Sequence, residues 1–372
     1  MTTKQKTKLH QLLELGQSVW LDFIERKLIE SGGLQAYVDK GVRGVTSNPA
    51  IFAKAIRQGD AYDDDLRQLA LEGKSAPEIY EALAIDDIQQ AADIFYPIYE
   101  QTEGYDGYVS LEANPRLARD TERTIEEVQR LSRLVDRPNV MIKVPATSEG
   151  FVAIKALIED GYNINVTLMF SLSQYDLVTD AFLSGLEKRA ANSFALQPIT
   201  SVASFFVSRI DVKVDGLLDQ IDDPDAQALK GKIGIASAKM AYQRFREIFQ
   251  SKRWAKLSHQ GARLQRVLYG STSTKDPDYP DTLYPDNLIG PETINTLPPE
   301  TIEAFLDHGT VASTLESDLE TAQAHLDKLA ALGINLDDVT HQLLEEGIEK
   351  FVRPYDKLIK TIAEKKAKVI AA

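Results

Sequence analysis

The 372-residue chain contains no cysteine. Disulfides, thiol nucleophiles and zinc–thiolate sites are thereby excluded. Histidine is scarce: His10, His259, His308, His325 and His341 fall in helical or connecting segments without the paired spacing of metal ligands. There is no HExxH sequence and no EF-hand loop. The acidic stretch 60–65 lacks the glycine that such a loop needs and reads as a solvated turn. No metal and no other cofactor is expected, and no G-x-G-x-x-G nucleotide fingerprint occurs. Positive charge is in deficit, with 42 Lys and Arg against 56 Asp and Glu, for a formal net charge of −14. Such a surface repels nucleic-acid phosphates, so a nucleic-acid partner is not expected and any phosphate site must be a local basic pocket. No run of 18 apolar residues exists, so no membrane-spanning helix is expected. The three lysines in residues 1–10 are not followed by an apolar signal core, which leads to the expectation of a cytoplasmic protein.

What is present is an alternation. Short apolar runs at 18–24, 44–47, 108–111, 140–144, 164–170, 199–206 and 266–269 are separated by amphipathic stretches such as 79–99, 116–135 and 151–160. Repeated strand-then-helix units predict an α/β fold with a parallel sheet, and about eight units over this length predict a closed (β/α)8 TIM barrel. The eighth strand is expected either at 286–289 or at 293–297. Residues 210–263 read as a mostly helical excursion after the sixth strand, and 299–372 as C-terminal helices at 300–307, 312–331 and 336–366. Both additions serve packing or oligomer contacts in the simplest reading, and a lid in the sharper one. With no Pro/Gly/Ser-rich linker, residues 1–372 read as one domain.

Strands of a parallel barrel are buried on both faces and should be almost wholly apolar. Here nearly every one carries a polar residue within it or just beyond its end: Asp22, Asn48, Glu112, Lys143, Asn165 with Thr167, Ser204 and Ser271. Singly, each has an ordinary explanation. Lys143 could snorkel out at a strand end, and Arg209, just past the sixth strand, could form a surface ion pair with Asp211 or Asp215. Seven strands sharing the feature at their C-terminal ends, where barrel enzymes place their chemistry, points to an active site. A lysine in an apolar run (VMIKV, 140–144) is suited to attack a ketone as the neutral amine and form an iminium. Glu112 and Asp22 are then the proton-transfer candidates, and Thr167 could hold a water between Glu112 and the lysine. The segment 270–275 (GSTSTK) is half of a phosphate loop, able to cradle one phosphate with hydroxyls and one ammonium; Arg209 could add a bidentate clamp.

Four motifs, GVTSNP at 44–49, IKVPAT at 142–147, NINVTLMFS at 163–171 and SFFVSRID at 204–211, together resemble the transaldolase family. Segment 268–298 is similar to its longer bacterial subgroup. The resemblance implies transfer of a dihydroxyacetone unit from sedoheptulose 7-phosphate to glyceraldehyde 3-phosphate, giving erythrose 4-phosphate and fructose 6-phosphate, in the non-oxidative pentose phosphate pathway. It implies that Lys143 is the Schiff-base lysine, that Asp22, Glu112 and Thr167 handle protons, that Asn48, Asn165 and Ser204 hold donor hydroxyls, and that Arg209 and Ser271 contact phosphate. Short members carry Arg two residues after the seventh-strand serine; here Ser273 stands there, which passes the phosphate role to Lys275. Two alternatives stay open. One is a class I aldolase that releases free dihydroxyacetone, although the fructose 6-phosphate aldolase branch carries Tyr where this chain has Phe206. The other is a catalytically silent sugar-phosphate-binding barrel. The partners expected are small sugar phosphates, for a monomer or homodimer.

Overall fold

The computed structural model describes residues 6–371. Among them, eight parallel strands close into a barrel in sequence order. These are β1 (Gln17–Leu21), β2 (Gly44–Thr46), β3 (Val109–Glu112), β4 (Val140–Pro145), β5 (Ile164–Met169), β6 (Ser201–Phe206), β7 (Arg266–Gly270) and β8 (Thr293–Leu297). Of the two segments considered for the eighth strand, 293–297 closes the barrel by pairing with both β1 and β7. Residues 286–289 instead form the end of a short helix, Leu283–Asn287, and the two residues after it, and Asp286 there accepts hydrogen bonds from Thr282 and from the Thr310 amide. A β-period pattern cannot form around that turn chemistry.

The barrel is filled from below. Trp20, Tyr108, Met141, Val202, Leu268 and Ile294, all at most 1% exposed, form an apolar cluster inside it. Gly44 makes room for this layer, since a Cβ there would lie 2.6 Å from the Trp20 ring. Under the layer, Asp106 accepts a 2.8 Å hydrogen bond from Trp20 Nε1, and Arg266 donates to Ser18 at 3.1 Å. Side chains alternate along a strand. The inward residue two places past each plug residue therefore sits one layer higher, toward the C-terminal mouth: Asp22, Ser110, Lys143, Ser204, Gly270 and Thr296.

The excursion after β6 divides into two parts. Helix Ile233–Phe249 belongs to the outer ring and packs against β7 and helix Leu172–Ala191, whereas helix Ser208–Leu218 lies at the barrel mouth. Residues 312–318, expected to be helical, are not. The helix begins at Leu319, because Asp318 takes a left-handed φ of +55° and Thr314 bonds back to Ile289 and Asp286. Residues 116–120 are likewise outside their helix, which starts at Thr121 under an Asp120 N-cap.

The long helix Leu336–Ala371 has 36 residues and spans about 54 Å at 1.5 Å per residue. It crosses helices Pro49–Gln58, Asp63–Leu71, Ala76–Gln101 and Ser208–Leu218 and touches β5. Its far end is pinned by Lys365, which donates to the Ile56 carbonyl at 3.1 Å and to Asp63 at 2.6 Å. The acidic stretch 60–65 is accordingly more than a solvated turn, since its carboxylates pair with Arg26, Lys27 and Lys365. No helix among the described residues is long and apolar enough to cross a membrane.

Candidate active site

Lys143 stands directly above the plug residue Met141 on β4 and is 5% exposed. Its Nζ lies 3.1 Å from Glu112 Oε2 and donates to the Ser47 carbonyl at 3.1 Å. The register explains the pairing: Glu112 sits opposite Lys143, which sits opposite Asn165. Parallel neighbours point the same way, so the three converge inside the barrel. An isolated buried carboxylate would be strongly disfavoured. Burial accordingly pushes the Glu112 carboxyl above its ordinary range; Lys143 opposes this and Asp22 adds to it.

Asp22 continues the β1 ladder, its amide donating to the Leu297 carbonyl at 2.8 Å. Burial raises its carboxyl as well, against the pull of Lys143, the 2.7 Å hydrogen bond from Thr46, and the cations Arg209 and Lys275. Two carboxyls with elevated affinity for protons therefore flank one lysine. Such an arrangement suits acid–base chemistry.

Deeper polar groups form a relay. Asn165 Nδ2 donates to Ser110 Oγ at 3.0 Å, and Ser204 Oγ donates to Asn165 Oδ1 at 2.7 Å. Both ends of the Asn165 amide are thus engaged, and Ser204 is the member that reaches the cavity wall. Thr167 Oγ1 is buried and meets no hydrogen-bond partner among the described residues. Its strand bulges at the next residue: Leu168, wholly buried, takes a φ of +59°. A leucine in that region is strained by about 1–3 kcal/mol. Asn48 caps helix Pro49–Gln58 through Oδ1, which accepts from the amides of Ala50 and Ile51, so its NH2 is the end not used in capping.

The other end of the site is cationic. Arg209 lies between two phenyl rings, its Cζ 5.0 Å from the Phe206 centroid and 5.9 Å from that of Phe351. Its Nη1 is buried without a hydrogen-bond partner among the described residues, and burial lowers the pKa of the guanidinium. The surface ion pair considered for it does not form. Asp211 instead accepts from the Gly234 amide (2.7 Å) and Tyr284 (2.9 Å), and Asp215 from Tyr279 (2.8 Å). These bonds fasten the rim helix that carries Arg209 and leave the guanidinium facing the cavity. Burial, with the charge of Asp215 beside it, raises the Asp211 carboxyl to about 7 against the lowering pull of the Gly234 and Tyr284 hydrogen bonds. Ser271, at a left-handed φ of +54°, shares a 2.8 Å hydrogen bond with Ser208, and Lys275 Nζ donates to Ser273 Oγ at 2.5 Å.

A cavity of about 710 Å³ joins the two ends. Asp22, Asn48, Lys143, Ser204, Arg209, Ser271 and Lys275 line it, whereas Glu112, Asn165 and Thr167 lie behind its wall. Glu112 also borders a second cavity of about 290 Å³, with Tyr80, Arg130 and Tyr355. Thr46 and Thr296, which share a 2.7 Å hydrogen bond at the mouth, and Leu343, Glu346, Lys350 and Phe351 of the long helix also line the cavity, although none is among the candidates named from the sequence. The two threonines carried a usable signal, since Thr296 stands two residues past Ile294 of the plug and Thr46 two past Gly44. The helix residues carried none, because their spacing is that of any amphipathic face. No group of His, Cys, Asp and Glu among the described residues is arranged to hold a metal.

A family model described as Transaldolase/Fructose-6-phosphate aldolase matches residues 19–362. The chain is 49% identical over 361 residues to the transaldolase of Thermobifida fusca, covering 96% of this chain and 98% of that one. It is 47% identical over 372 residues to the transaldolase of Trichodesmium erythraeum, covering 97% and 98% of the two chains. With the transaldolase of Mycolicibacterium smegmatis it shares 44% identity over 357 residues, or 95% and 96%. A match of this extent, over a closed barrel with a buried lysine–carboxyl pair at its mouth, places the chain in the transaldolase/fructose-6-phosphate aldolase family.

Proposed function

We propose that the chain moves a dihydroxyacetone unit from sedoheptulose 7-phosphate to glyceraldehyde 3-phosphate, giving erythrose 4-phosphate and fructose 6-phosphate, through a Schiff base on Lys143. The observation that carries this reading is the buried Lys143–Glu112 pair, 3.1 Å apart, with Lys143 facing a cavity that also holds a guanidinium whose buried Nη1 has no hydrogen-bond partner among the described residues. Passing the ammonium proton to the neighbouring carboxyl leaves a neutral amine, which attacks the C2 carbonyl of the ketose. Glu112, working through a water held by Thr167, protonates the departing hydroxyl as the iminium forms. Asp22 takes the C4 hydroxyl proton while the C3–C4 bond breaks, then returns it to the aldehyde oxygen of the acceptor. Asn48 and Ser204 hold the hydroxyls of the three-carbon unit, and Asn165 fixes Ser204. Arg209, Ser271 and Lys275 bind the phosphate. A cytoplasmic monomer or homodimer in the non-oxidative pentose phosphate pathway fits this role.

Borohydride reduction in the presence of fructose 6-phosphate tests the reading. A reduced three-carbon or six-carbon adduct mapped to the peptide containing Lys143 is expected, with turnover dependent on an acceptor aldose. Absence of an adduct would overturn it, and full-rate cleavage of fructose 6-phosphate without any acceptor would make the protein an aldolase.

The phosphate assignment has its own check. Hydrogen bonds to a charged group contribute about 1.5–3 kcal/mol, so Arg209→Ala is expected to lower kcat/KM for ketose phosphates by roughly 10- to 150-fold. Unphosphorylated fructose should lose far less. Arg209→Lys should recover only part, because an ammonium lacks the planar fork and the stacking between the two rings. Equal losses with and without the phosphate would exclude the role.

A further inference from the structure

We propose that Phe351 is a positioning residue that keeps water from C3 of the enamine, and so sets whether the bound three-carbon unit is transferred or lost as free dihydroxyacetone; this rests on the Schiff-base reading above. Phe351 is 7% exposed and lines the main cavity. Its ring centroid is 5.7 Å from Lys143 Nζ and 5.9 Å from Arg209 Cζ. Among the described residues, no other ring is in cation–π contact with both groups. The ring therefore lies beside both the nucleophile and the guanidinium of the anion-binding end. A three-carbon unit bonded to Nζ, with C3 toward the phosphate end, comes to lie against it.

The rest of the long helix holds the ring in place. One turn earlier, Gly347 lies so close to the barrel that a Cβ would fall 2.9 Å from Leu168 Cδ2 and 3.6 Å from Arg209 Nη1. Glu346 pairs with Lys213 of the rim helix at 2.6 Å. One turn later, Tyr355 lines the second cavity beside Glu112, its ring edge-on to Tyr80 with centroids 5.7 Å apart. A single helix thus places an aromatic cover over each cavity that borders the lysine–carboxyl pair.

The chemistry makes such a cover decisive. After C3–C4 cleavage the three carbons remain on Lys143 as an enamine. In transfer, C3 attacks the acceptor aldehyde carbon, a C–C bond forms, and the aldehyde oxygen takes a proton to become a hydroxyl; water then adds to C2 of the product iminium and the C2–N bond breaks, freeing the new ketose. In release, C3 takes a proton, water adds to C2, and the C2–N bond breaks. The water oxygen becomes the carbonyl oxygen, and both water hydrogens finish on nitrogen as the ammonium. Both routes end in hydrolysis at C2 and part at C3, so exclusion of water, the proton source for C3, governs the ratio between them.

The test compares free dihydroxyacetone formed with product transferred to erythrose 4-phosphate, starting from sedoheptulose 7-phosphate, in wild type, Phe351→Leu and Phe351→Ala. The release-to-transfer ratio is expected to rise about tenfold or more in Phe351→Ala, a change of about 1.4 kcal/mol between the two barriers. Phe351→Leu, which keeps apolar volume and guards against a folding failure, should lie between. An unchanged ratio in Phe351→Leu and in folded Phe351→Ala, with both rates merely reduced, would overturn the proposal. Borohydride trapping on the wild type separates the two failures. A wild type without an adduct fails the Schiff-base reading, whereas an adduct with an unchanged ratio fails only the role of Phe351.

Discussion

Replacing Lys143 with Met is expected to abolish the borohydride adduct and to reduce turnover by a factor on the order of 10⁴–10⁶, the scale on which loss of a covalent nucleophile acts. Steady-state kinetics with sedoheptulose 7-phosphate and glyceraldehyde 3-phosphate measure it, and activity within tenfold of wild type would exclude a Schiff base on this residue. The same substitution should alter the stability profile in a particular direction. Without the ammonium, Glu112 loses the main influence opposing its upward shift. A carboxyl whose folded pKa lies above its unfolded one stabilises fully below the unfolded value, and that contribution is lost as pH rises through the folded value. The Tm of Lys143→Met should therefore fall as pH rises from the ordinary carboxylate range toward neutrality. Lys143→Met/Glu112→Gln should be flatter across the same window. Parallel Tm curves for the two variants would show that Glu112 is not the titrating group.

Glu112→Gln is expected to lower kcat by roughly 10²–10⁴, the usual contribution of a positioned general acid or base. The amide keeps the size of the carboxyl and can still accept from Lys143, so the barrel mouth should stay intact. Adduct formation should become slow yet still reach Lys143, which distinguishes a proton-transfer defect from a lost nucleophile. Time-resolved borohydride quenching reads that difference directly. An adduct formed at the wild-type rate would move the acid–base role of this step away from Glu112.

Much of the site was legible because a barrel strand offers few places for a polar side chain. Lys143 inside VMIKV and Asp22 inside VWLDFI each stand two residues past a plug residue, Met141 and Trp20. The inward period of two carries them from apolar floor to polar mouth. The eighth strand was ambiguous for the same reason in reverse. TINTL carries an asparagine and two threonines, so its apolar signal is no stronger than that of DNLI. Only pairing with β1 and β7 distinguishes the two. Arg209 could not be resolved from its neighbours, since Asp211 and Asp215 were plausible partners until Gly234, Tyr284 and Tyr279 proved to engage them. Phe351 was illegible for a deeper reason. Leu343, Gly347, Phe351 and Leu358 read as one buried stripe of a helix, and no periodicity tells whether such a stripe meets core or catalytic cavity.

The long helix also has a bearing on how the molecule becomes active. Lys143 is supplied by the fourth strand, while Phe351 and Tyr355 are supplied by a segment far downstream. Contacts between distant parts of a chain must overcome the entropy of closing large loops and so tend to form late. A refolding molecule with a closed barrel and an undocked helix would have far-ultraviolet signal and a nucleophile, yet neither aromatic cover. Activity therefore reports the last act of assembly, not the first. In a refolding experiment, recovery of transfer should lag behind recovery of secondary structure, and leakage of dihydroxyacetone should mark the molecules in between.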